Sequence, residues 1–330
     1  MLKIFKSKAF RCACIYTVYM ICTAAAIPYF LTVKGDFLIS GEYGEITSDL
    51  KLLYGGDYEN NNGENKNNIS IKEENPQMES YIIGVVAAEM PASFEEEALK
   101  AQAVAARTYA YRQVGNSEIK PENIGQAYIT VEEMKKNWGN NFEENYKKIS
   151  DAVNATKNEI MVYDGEPILA AFHSTSGGMT ESSENVWSEK LSYLVSVDSH
   201  EDENAPDFLS EVKVPKEEFI EKFSEKGAVF SDNIQNDIEI TERTAADYVS
   251  EIKIGGKAFK GSEVRQILSL RSSNFTVSYN EGEVIFTSKG YGHGAGMSQY
   301  GANFMALEGN DYKKILSHYY YGVEFISLKG

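Results

Sequence analysis

The chain has 330 residues, of which 42% are hydrophobic and 12% aromatic, a composition typical of a globular protein rather than a disordered one. The formal net charge of -17 at pH 7 argues against a nucleic-acid-binding protein, because such proteins neutralise phosphates with basic side chains. All three cysteines lie between residues 12 and 22, so the rest of the chain has no disulfide, no thiolate metal site and no cysteine nucleophile.

The first 34 residues differ from the rest of the chain. Basic residues precede an uncharged run of 22 residues, Cys12 to Val33, which is long enough to span a bilayer as a helix. The position of these basic residues favours a cytoplasmic N-terminus and places the bulk of the chain outside the cell. We therefore expect residues 1–34 to be a signal-anchor. The alternatives are a cleaved signal peptide, for which Ala24, Ala25 and Ala26 resemble the exit, and a buried helix.

A spacer is expected after the anchor. Residues 55–77 are rich in asparagine and nearly free of core residues, which predicts a flexible extracytoplasmic spacer within residues 35–77. The catalytic domain is then expected over residues 78–330. Beyond the anchor the chain has 27 basic and 49 acidic residues, so recognition of an anionic wall polymer would depend on hydrogen bonds and stacking rather than on net charge.

Two helices are predicted at the start of this domain. Apolar residues from Met78 to Met90 follow a helical pattern that Pro91 ends. Ser93 and Glu96 form a capping-box pattern for a second helix, from Phe94 to about residue 113. Small side chains recur at helical spacing in it, which would allow another element to pack very close: Ala98, Ala101, Ala105 and Thr108.

Strands and helices alternate irregularly in the rest of the chain. Segments 159–163 and 166–172 flank Asp164-Gly165, a strong signal for a hairpin. Further elements are predicted as strands at 193–197, 238–243, 248–254 and 284–288, helices at 211–224, 261–269, 297–307 and 311–320, a hairpin turn at Gly255-Gly256 and a glycine-rich loop at 290–296. Because there is no regular βαβ alternation, we predict an α+β fold with largely antiparallel strands.

Glu89 is the main candidate for acid/base catalysis. It lies at the end of the first predicted helix, where the helix dipole and apolar neighbours such as Val86 and Met90 are expected to raise its pKa. A carboxyl group of raised pKa stays protonated near neutral pH and can donate a proton. The positive end of the next helix opposes this shift, and the alternative is a solvated carboxylate.

Arg107 is the second candidate, in the alanine-rich helix. A guanidinium on a face of small residues suits a buried group that holds a carboxylate or part of a substrate. The alternative is an exposed helical arginine.

The segment from Ala171 to Trp187 runs from a strand into a turn rich in hydroxyl groups. Its candidate cleft residues are His173, Ser174, Thr175 and Ser176, which precede two glycines. A Ser–His hydrolase is a competing interpretation, but the G-x-S-x-G elbow is absent. The alternative is ordinary turn chemistry at the end of a strand.

The segment from Lys289 to Ala302 has four glycines in seven residues, which permit close approach of the backbone. His293 and Gln299 are its candidate site residues. A phosphate-binding loop is disfavoured because the G-K-[ST] motif is absent, and a tight packing loop is the alternative. The four histidines of the chain lack ligand spacing, so neither a metal nor a cofactor is predicted.

Taken together, these segments resemble the stage II sporulation protein D family, which includes the amidase-enhancer proteins. The resemblance is carried, in family order over about residues 78–322, by VVAAEMPASFEEEALKAQAVAARTYA, FHSTSGGMTESSENVW, YLVSVDS and GYGHGAGMSQYGA. It implies a membrane-anchored peptidoglycan lytic transglycosylase that acts during engulfment of the forespore. By the same resemblance, Glu89 is the catalytic carboxyl group, Arg107 a required active-site residue and Tyr193 a cleft position.

The resemblance also implies partners and a location. The substrate would be glycan strands whose stem peptides have been removed by an amidase, stage II sporulation protein P, with stage II sporulation protein M as a localising partner. The catalytic domain would lie outside the mother-cell membrane at the engulfment septum. Some relatives hold zinc with cysteines near the position of Ser176, where this chain has none, so no metal is carried over. Val195 also departs from the polar or basic residue expected beside Tyr193.

Three functions are compatible with these residues. A lytic transglycosylase needs one carboxyl group, Glu89, as acid and then base. A muramidase-type hydrolase needs a second carboxylate, for which Glu181 and Asp198 are candidates. A non-catalytic glycan-binding module that enhances an amidase would release no product. The presence of both Glu89 and Arg107 favours an enzyme.

Overall fold

The computed structural model describes residues 77–328. The predicted membrane anchor and nearly all of the predicted spacer lie outside these residues. Within residues 77–328, no helix combines the length and the apolar character that crossing a membrane requires. This part of the chain has an α+β fold whose strands pair almost entirely in antiparallel fashion, as predicted.

The elements in chain order define the labels used below. The helices are α1 (Met78–Glu89), α2 (Glu96–Val114), α3 (Val131–Trp138), α4 (Phe142–Ala155), α5 (Ser183–Trp187), α6 (Lys216–Ser224), α7 (Gly261–Leu268), α8 (Gln299–Leu307) and α9 (Tyr312–Tyr319). The strands are β1 (Glu159–Tyr163), β2 (Glu166–Pro167), β3 (Phe172–His173), β4 (Leu209–Pro215), β5 (Ile238–Arg243), β6 (Val249–Ile254), β7 (Lys257–Lys260), β8 (Phe275–Asn280), β9 (Glu283–Lys289), β10 (Met297–Ser298) and β11 (Glu324–Ser327).

The first two helices follow local signals closely. Helix α1 ends at Glu89 because Pro91 follows, and Met90 already has an extended backbone. Helix α2 begins two residues later than predicted. The predicted capping box of Ser93 and Glu96 is wrong: Glu95 is the N-cap residue, and its backbone N–H donates to the side chain of Asn303, 2.8 Å away.

Helix α2 is the centre of the larger hydrophobic core, here called the helical core. It packs against α1, α4, α8, α9 and β1. The small residues predicted to allow close packing are all fully buried on it. Strand β1 pairs antiparallel with β11 and with β2, so the last described strand of the chain covers this core beside the hairpin.

The predicted hairpin is confirmed only at its turn. Tyr163 pairs with Glu166, and both Asp164 and Gly165 have positive φ, as a tight two-residue turn requires. The second strand was predicted to continue to Phe172, but β2 ends at Pro167. Strand β3 follows separately and pairs parallel with β10, more than 120 residues later in the chain.

A second core, here called the sheet core, is formed by two three-stranded sheets with the strand orders β4-β9-β8 and β5-β6-β7. Helices α6 and α7 pack on these sheets. Two sequence predictions are wrong, one for a strand of the sheet core and one for residues 193–197. Residues 209–215 form strand β4 rather than the start of a helix, because their alternating side chains pair along the whole of β9. Residues 193–197, predicted as a strand, lie outside any regular element.

Candidate functional site

Glu89 is half-buried at the C-terminal end of α1, beside a loop formed by residues 124–129. The backbone N–H of Ala127 donates a hydrogen bond of 3.0 Å to Oε1 of Glu89. A second backbone contact holds the same loop against the helix, from the N–H of Ile129 to the carbonyl of Gly84 at 3.3 Å. The carboxyl group is therefore fixed by the loop while part of it stays accessible.

Two stacked tyrosines, here called the aromatic wall, lie near this carboxyl group, Tyr81 on α1 and Tyr128 in the loop. The hydroxyl of Tyr81 donates to the side chain of Gln126 at 3.2 Å, and the ring of Tyr128 stacks on that of Tyr81. Burial, and then the nearby Glu89 carboxylate, raise the pKa of Tyr81, so it remains a neutral phenol. The wall beside Glu89 is thus aromatic and uncharged. The sequence reasoning missed this loop, although Gly84 inside a helix was a signal that another chain segment approaches closely.

The structure places the guanidinium of Arg107 against a carboxylate of the protein itself. Its guanidinium is fully buried and forms a bidentate pair with Glu79, with Nε–Oε1 and Nη2–Oε2 distances of 2.9 and 2.7 Å. Its remaining N–H groups donate to the carbonyls of Val153 and Glu159 and to the hydroxyl of Thr156. The guanidinium therefore holds a carboxylate, as one interpretation proposed, but the carboxylate belongs to the protein rather than to a substrate.

The pair also lies away from the candidate acid. Glu79 and Glu89 are at opposite ends of α1. Ten residues of α-helix span about 15 Å. Arg107 thus stabilises the start of α1, where it meets α4 and β1, and it does not face the carboxyl group of Glu89.

The structure brings the segments 171–187 and 289–302 together, and the region where they meet is called the junction below. Ser298 of β10 pairs in parallel with His173 of β3, and Thr175 forms a bridge with Tyr291. The glycine-rich loop is needed for this approach. A Cβ on Gly290 would lie within 2.6 Å of backbone atoms of residues 175 and 176, and Gly290 has a positive φ.

Two histidines lie at this junction, His173 buried and His293 half-buried. The ring of His293 lies 5.6 Å from that of His173 and 5.2 Å from that of Trp187, measured between centroids. Nδ1 of His173 donates to the carbonyl of Ala295, while Nδ1 of His293 accepts from the N–H of the same residue. Burial lowers the pKa of His173 to about 4 and that of His293 well below its usual value. Both rings are therefore neutral at neutral pH.

The hydroxyl-rich turn is organised by a residue that the sequence reasoning missed, Asp202. Its fully buried carboxylate accepts from the N–H of Ser176 at 2.8 Å and from the hydroxyls of Ser199 and Ser298 at 3.1 and 2.9 Å. Ser298 in turn caps α8 by accepting from the N–H of Gly301. Burial raises the pKa of Asp202. No local pattern marked it, because it lies in an acidic run that resembles a solvated loop.

The remaining predicted residues differ in exposure. Ser174 is half-buried and shares a hydrogen bond with the hydroxyl of Thr175, which is buried. Tyr193 is buried, and its hydroxyl accepts from the N–H of Leu169 while its ring packs on Tyr163. Gln299 is buried and donates to Gln102 of α2 at 3.4 Å. These last two side chains therefore pack within the protein rather than face a cleft.

Helix α2 links the junction to Glu89. Gln102 receives the bond from Gln299, and one turn later the carbonyl of Ala106 accepts from Gln126, the neighbour of the residue that holds Glu89. Residues four apart lie on the same face of a helix, about 6 Å apart along its axis. The two groups therefore meet the same face of α2. Within residues 77–328, no group of three or more His, Cys, Asp or Glu side chains could hold a metal ion.

The two carboxylates considered as partners of Glu89 have other contacts. Glu181 is buried and accepts from the N–H of Ser182, from Asn185 and from the hydroxyl of Thr244. Asp198 is exposed and forms an ion pair with His200 at 2.8 Å. Glu181 thus connects the junction to the chain between β5 and β6, and Asp198 contacts a surface histidine.

Comparison of the sequence with known proteins finds one matching family model and several relatives. A family model described as "Stage II sporulation protein" (SpoIID) matches residues 65–163, which include Glu89 and the loop of residues 124–129. Stage II sporulation protein D of Bacillus subtilis (strain 168) is 42% identical over 260 residues, which cover 76% of this chain and 75% of that protein. The protein of that name from Bacillus amyloliquefaciens is also 42% identical over 260 residues, covering 76% and 74%.

A more distant similarity extends to a protein with another name. The amidase enhancer of Bacillus subtilis (strain 168) is 29% identical over 297 residues, which cover 74% of this chain and 40% of that protein.

Proposed function

Because the chain belongs to the stage II sporulation protein D family, a family of sporulation proteins, we propose that it is a lytic transglycosylase acting on peptidoglycan. In this proposal it cleaves the bond between MurNAc and GlcNAc in glycan strands that have lost their stem peptides. The residues before 77 would anchor it in the mother-cell membrane, with the described residues outside. Stage II sporulation proteins P and M would be its amidase and its localising partner.

The observation that carries the proposal is the setting of Glu89. Its Oε1 atom accepts the N–H of Ala127, so a proton on the carboxyl group belongs on Oε2. The group is half-buried beside an aromatic wall, and such a setting suits a carboxyl group that donates a proton and then accepts one.

The reaction balances with this single group. Oε2 of Glu89 gives its proton to the glycosidic oxygen as the bond from that oxygen to C1 of MurNAc breaks. The resulting carboxylate then takes the proton of the C6 hydroxyl of the same MurNAc, and O6 closes on C1. The products are a GlcNAc end with a free hydroxyl and a 1,6-anhydro-MurNAc end. No water is consumed, and the carboxyl group returns to its protonated form.

A two-carboxylate hydrolase is less well supported. Its second carboxylate must activate water or attack the sugar. Glu181 already accepts three hydrogen bonds within the protein, and Asp198 is paired with a surface histidine. None of these contacts brings Glu181 or Asp198 to Glu89.

A non-catalytic role in amidase enhancement is the second candidate. The similarity to the amidase enhancer favours it. Such a module would bind glycan strands without releasing a product.

Mass spectrometry of reaction products distinguishes these functions. The purified full-length chain and its Glu89→Gln variant would be incubated with glycan strands lacking stem peptides. We expect 1,6-anhydro ends from the wild type and at least a hundredfold slower release from the variant, because acid/base catalysis contributes about 10²–10⁴ in rate. Reducing ends would show a hydrolase. Binding without any product would show an enhancer.

A further inference from the structure

The loop beside Glu89 presents one aromatic ring at a fixed place. Tyr128 lies between the two residues of the loop whose backbone N–H groups bind α1, Ala127 and Ile129. Consecutive Cα atoms are about 3.8 Å apart, so the Cα of Tyr128 lies within roughly 8 Å of the Glu89 carboxylate. The ring itself lies against Gly84, five residues before Glu89 and so about 7.5 Å from it along the helix axis. That distance is comparable to the size of one sugar ring with its substituents.

The ring of Tyr128 also has a fixed orientation. It is stacked on Tyr81 with centroids 5.5 Å apart and planes inclined by 11°. Tyr81 is 3% exposed, whereas Tyr128 is 37% exposed, so Tyr81 supports the inner face and Tyr128 is the accessible member of the pair. Packing beneath it is tight, since a Cβ on Gly84 would come within 2.3 Å of Cε2 of Tyr128.

An accessible, supported aromatic ring suits a sugar better than a charged group. The C–H face of a pyranose ring packs on an aromatic face and buries apolar surface there without any electrostatic attraction. The chain beyond residue 34 has 22 more acidic than basic residues, so charge gives it no attraction for an anionic strand. A neutral contact of this kind is what the charge balance requires for glycan recognition.

We propose that Tyr128 is a sugar-stacking residue, the floor of a glycan subsite next to Glu89 that takes the pyranose ring of an N-acetylated amino sugar. This inference rests on the proposed function, because it makes the substrate of Glu89 a glycan strand. Gly84 is its positioning residue, since only a residue without a side chain lets the ring approach α1 this closely.

Binding measurements in a Glu89→Gln background test the subsite without cleavage. Calorimetry with glycan strands lacking stem peptides would compare Tyr128→Ala and Tyr128→Phe with the Glu89→Gln parent. We expect Tyr128→Ala to weaken binding about tenfold and Tyr128→Phe to retain it, because stacking needs the ring and not the hydroxyl. Tyr279→Ala, which removes a half-buried tyrosine from strand β8, is the matched control and should bind like the parent.

Gly84→Ala provides a second variant that keeps the tyrosine. Its new methyl group would displace the ring and would also lie 2.9 Å from the backbone oxygen of Ile129. We therefore expect weaker binding in the parent and a smaller further weakening when Tyr128→Ala is already present. Thermal unfolding of every variant would establish that each is folded at the temperature of the binding measurement.

The possible outcomes distinguish a failure of the proposed subsite from a failure of the proposed transglycosylase activity. Unchanged binding by folded Tyr128→Ala, or equal weakening by Tyr128→Phe, overturns the subsite even if the wild type still forms anhydro ends. Absence of anhydro ends from the wild type overturns the transglycosylase instead. In that case, loss of binding in Tyr128→Ala with retention in Tyr128→Phe would still support a glycan subsite.

Discussion

The helical core and the sheet core bury different kinds of side chain. Around α2 the helical core is rich in alanine, and the buried guanidinium of Arg107 is held there by Glu79. The sheet core has one alanine among its buried residues, which are otherwise valine, isoleucine, leucine and phenylalanine, and no charged side chain among its described residues is buried. A small-residue core brings backbones close and fixes polar groups accurately, whereas a core of larger side chains mainly supplies buried apolar area. The candidate site lies on the first kind of core.

Removal of Arg107 is expected to have the largest effect on stability. In Arg107→Met, the carboxylate of Glu79, whose side chain is only 15% exposed, would lose both hydrogen bonds from the guanidinium. Breaking a buried pair in this way costs about 3–5 kcal/mol of unfolding free energy, and adding Glu79→Gln should recover part of it. Equilibrium urea unfolding measures both.

Arg243→Met in the sheet core is the matched control. Arg243 is partly exposed and donates to two carbonyls, so its loss should cost only about 1 kcal/mol. If Arg107→Met instead unfolds like the wild type and loses only glycan binding, Arg107 contacts substrate and the structural role is wrong.

Truncation of Phe286 tests whether the sheet core contributes to the site. Phe286 is fully buried between Phe219 and Phe275, so Phe286→Ala should cost about 3 kcal/mol, with Phe286→Leu costing less. We expect the rate of glycan cleavage to be unchanged at temperatures where thermal unfolding shows the variant to be folded. A reduced rate in the folded variant would mean that the two cores are coupled at the site.

The same contrast explains what the sequence could predict about the fold. Predictions from local signals were correct where residues close in the chain determine the structure, as at Pro91 after α1 and at the Asp164-Gly165 turn. They were wrong where pairing with a distant segment determines the structure. Residues 209–215 become a strand because β9 pairs with them, and β3 exists only because β10 lies beside it.

The residues of the candidate site also fall into those that the sequence could indicate and those that it could not. The sequence indicated Glu89 from its residue type and its place at a helix end. It could not indicate that Ala127, Glu79 or Asp202 would matter, because each acts through a partner 28 to 96 residues away. Arg107 shows the limit most clearly, since its residue type suited a substrate and only the fold reveals its actual carboxylate.

Substitution of Asp202 tests how far the hydrogen bonds of the junction stabilise the protein, and we expect an intermediate effect on the free energy of unfolding. In Asp202→Asn, one of the two carboxylate oxygens becomes an amide nitrogen, so either the N–H of Ser176 or the hydroxyl of Ser298 would lose its acceptor. We expect a loss of about 2 kcal/mol in urea unfolding. Asp207→Asn, which changes an exposed carboxylate, is the control and should behave like the wild type. Equal stability of both variants would show that the junction tolerates the mismatch.

The smallest expected effect is a dependence of stability on pH that arises from His173. Burial lowers its pKa to about 4 in the folded protein, against about 6.5 when unfolded. Between these values the unfolded chain binds the proton and the folded one does not, so stability falls as the pH falls below about 6.5 and levels off below about 4. From pH 7 to pH 5.5 this group should cost about 1 kcal/mol.

The comparison of wild type with His173→Gln isolates that contribution. The neighbouring His293 is shifted in the same direction, whereas burial raises the pKa of Asp202 and gives a contribution of opposite sign. The contribution of Asp202 is common to both proteins and cancels in the difference between their urea unfolding curves at pH 7 and pH 5.5. The difference includes, besides His173 itself, the part of the His293 shift that the His173 ring causes, and this part has the same sign. We expect His173→Gln to lose less stability than the wild type over this interval. Equal losses would mean that His173 takes up its proton without disturbing the fold, and that the junction is more open to water than its burial indicates.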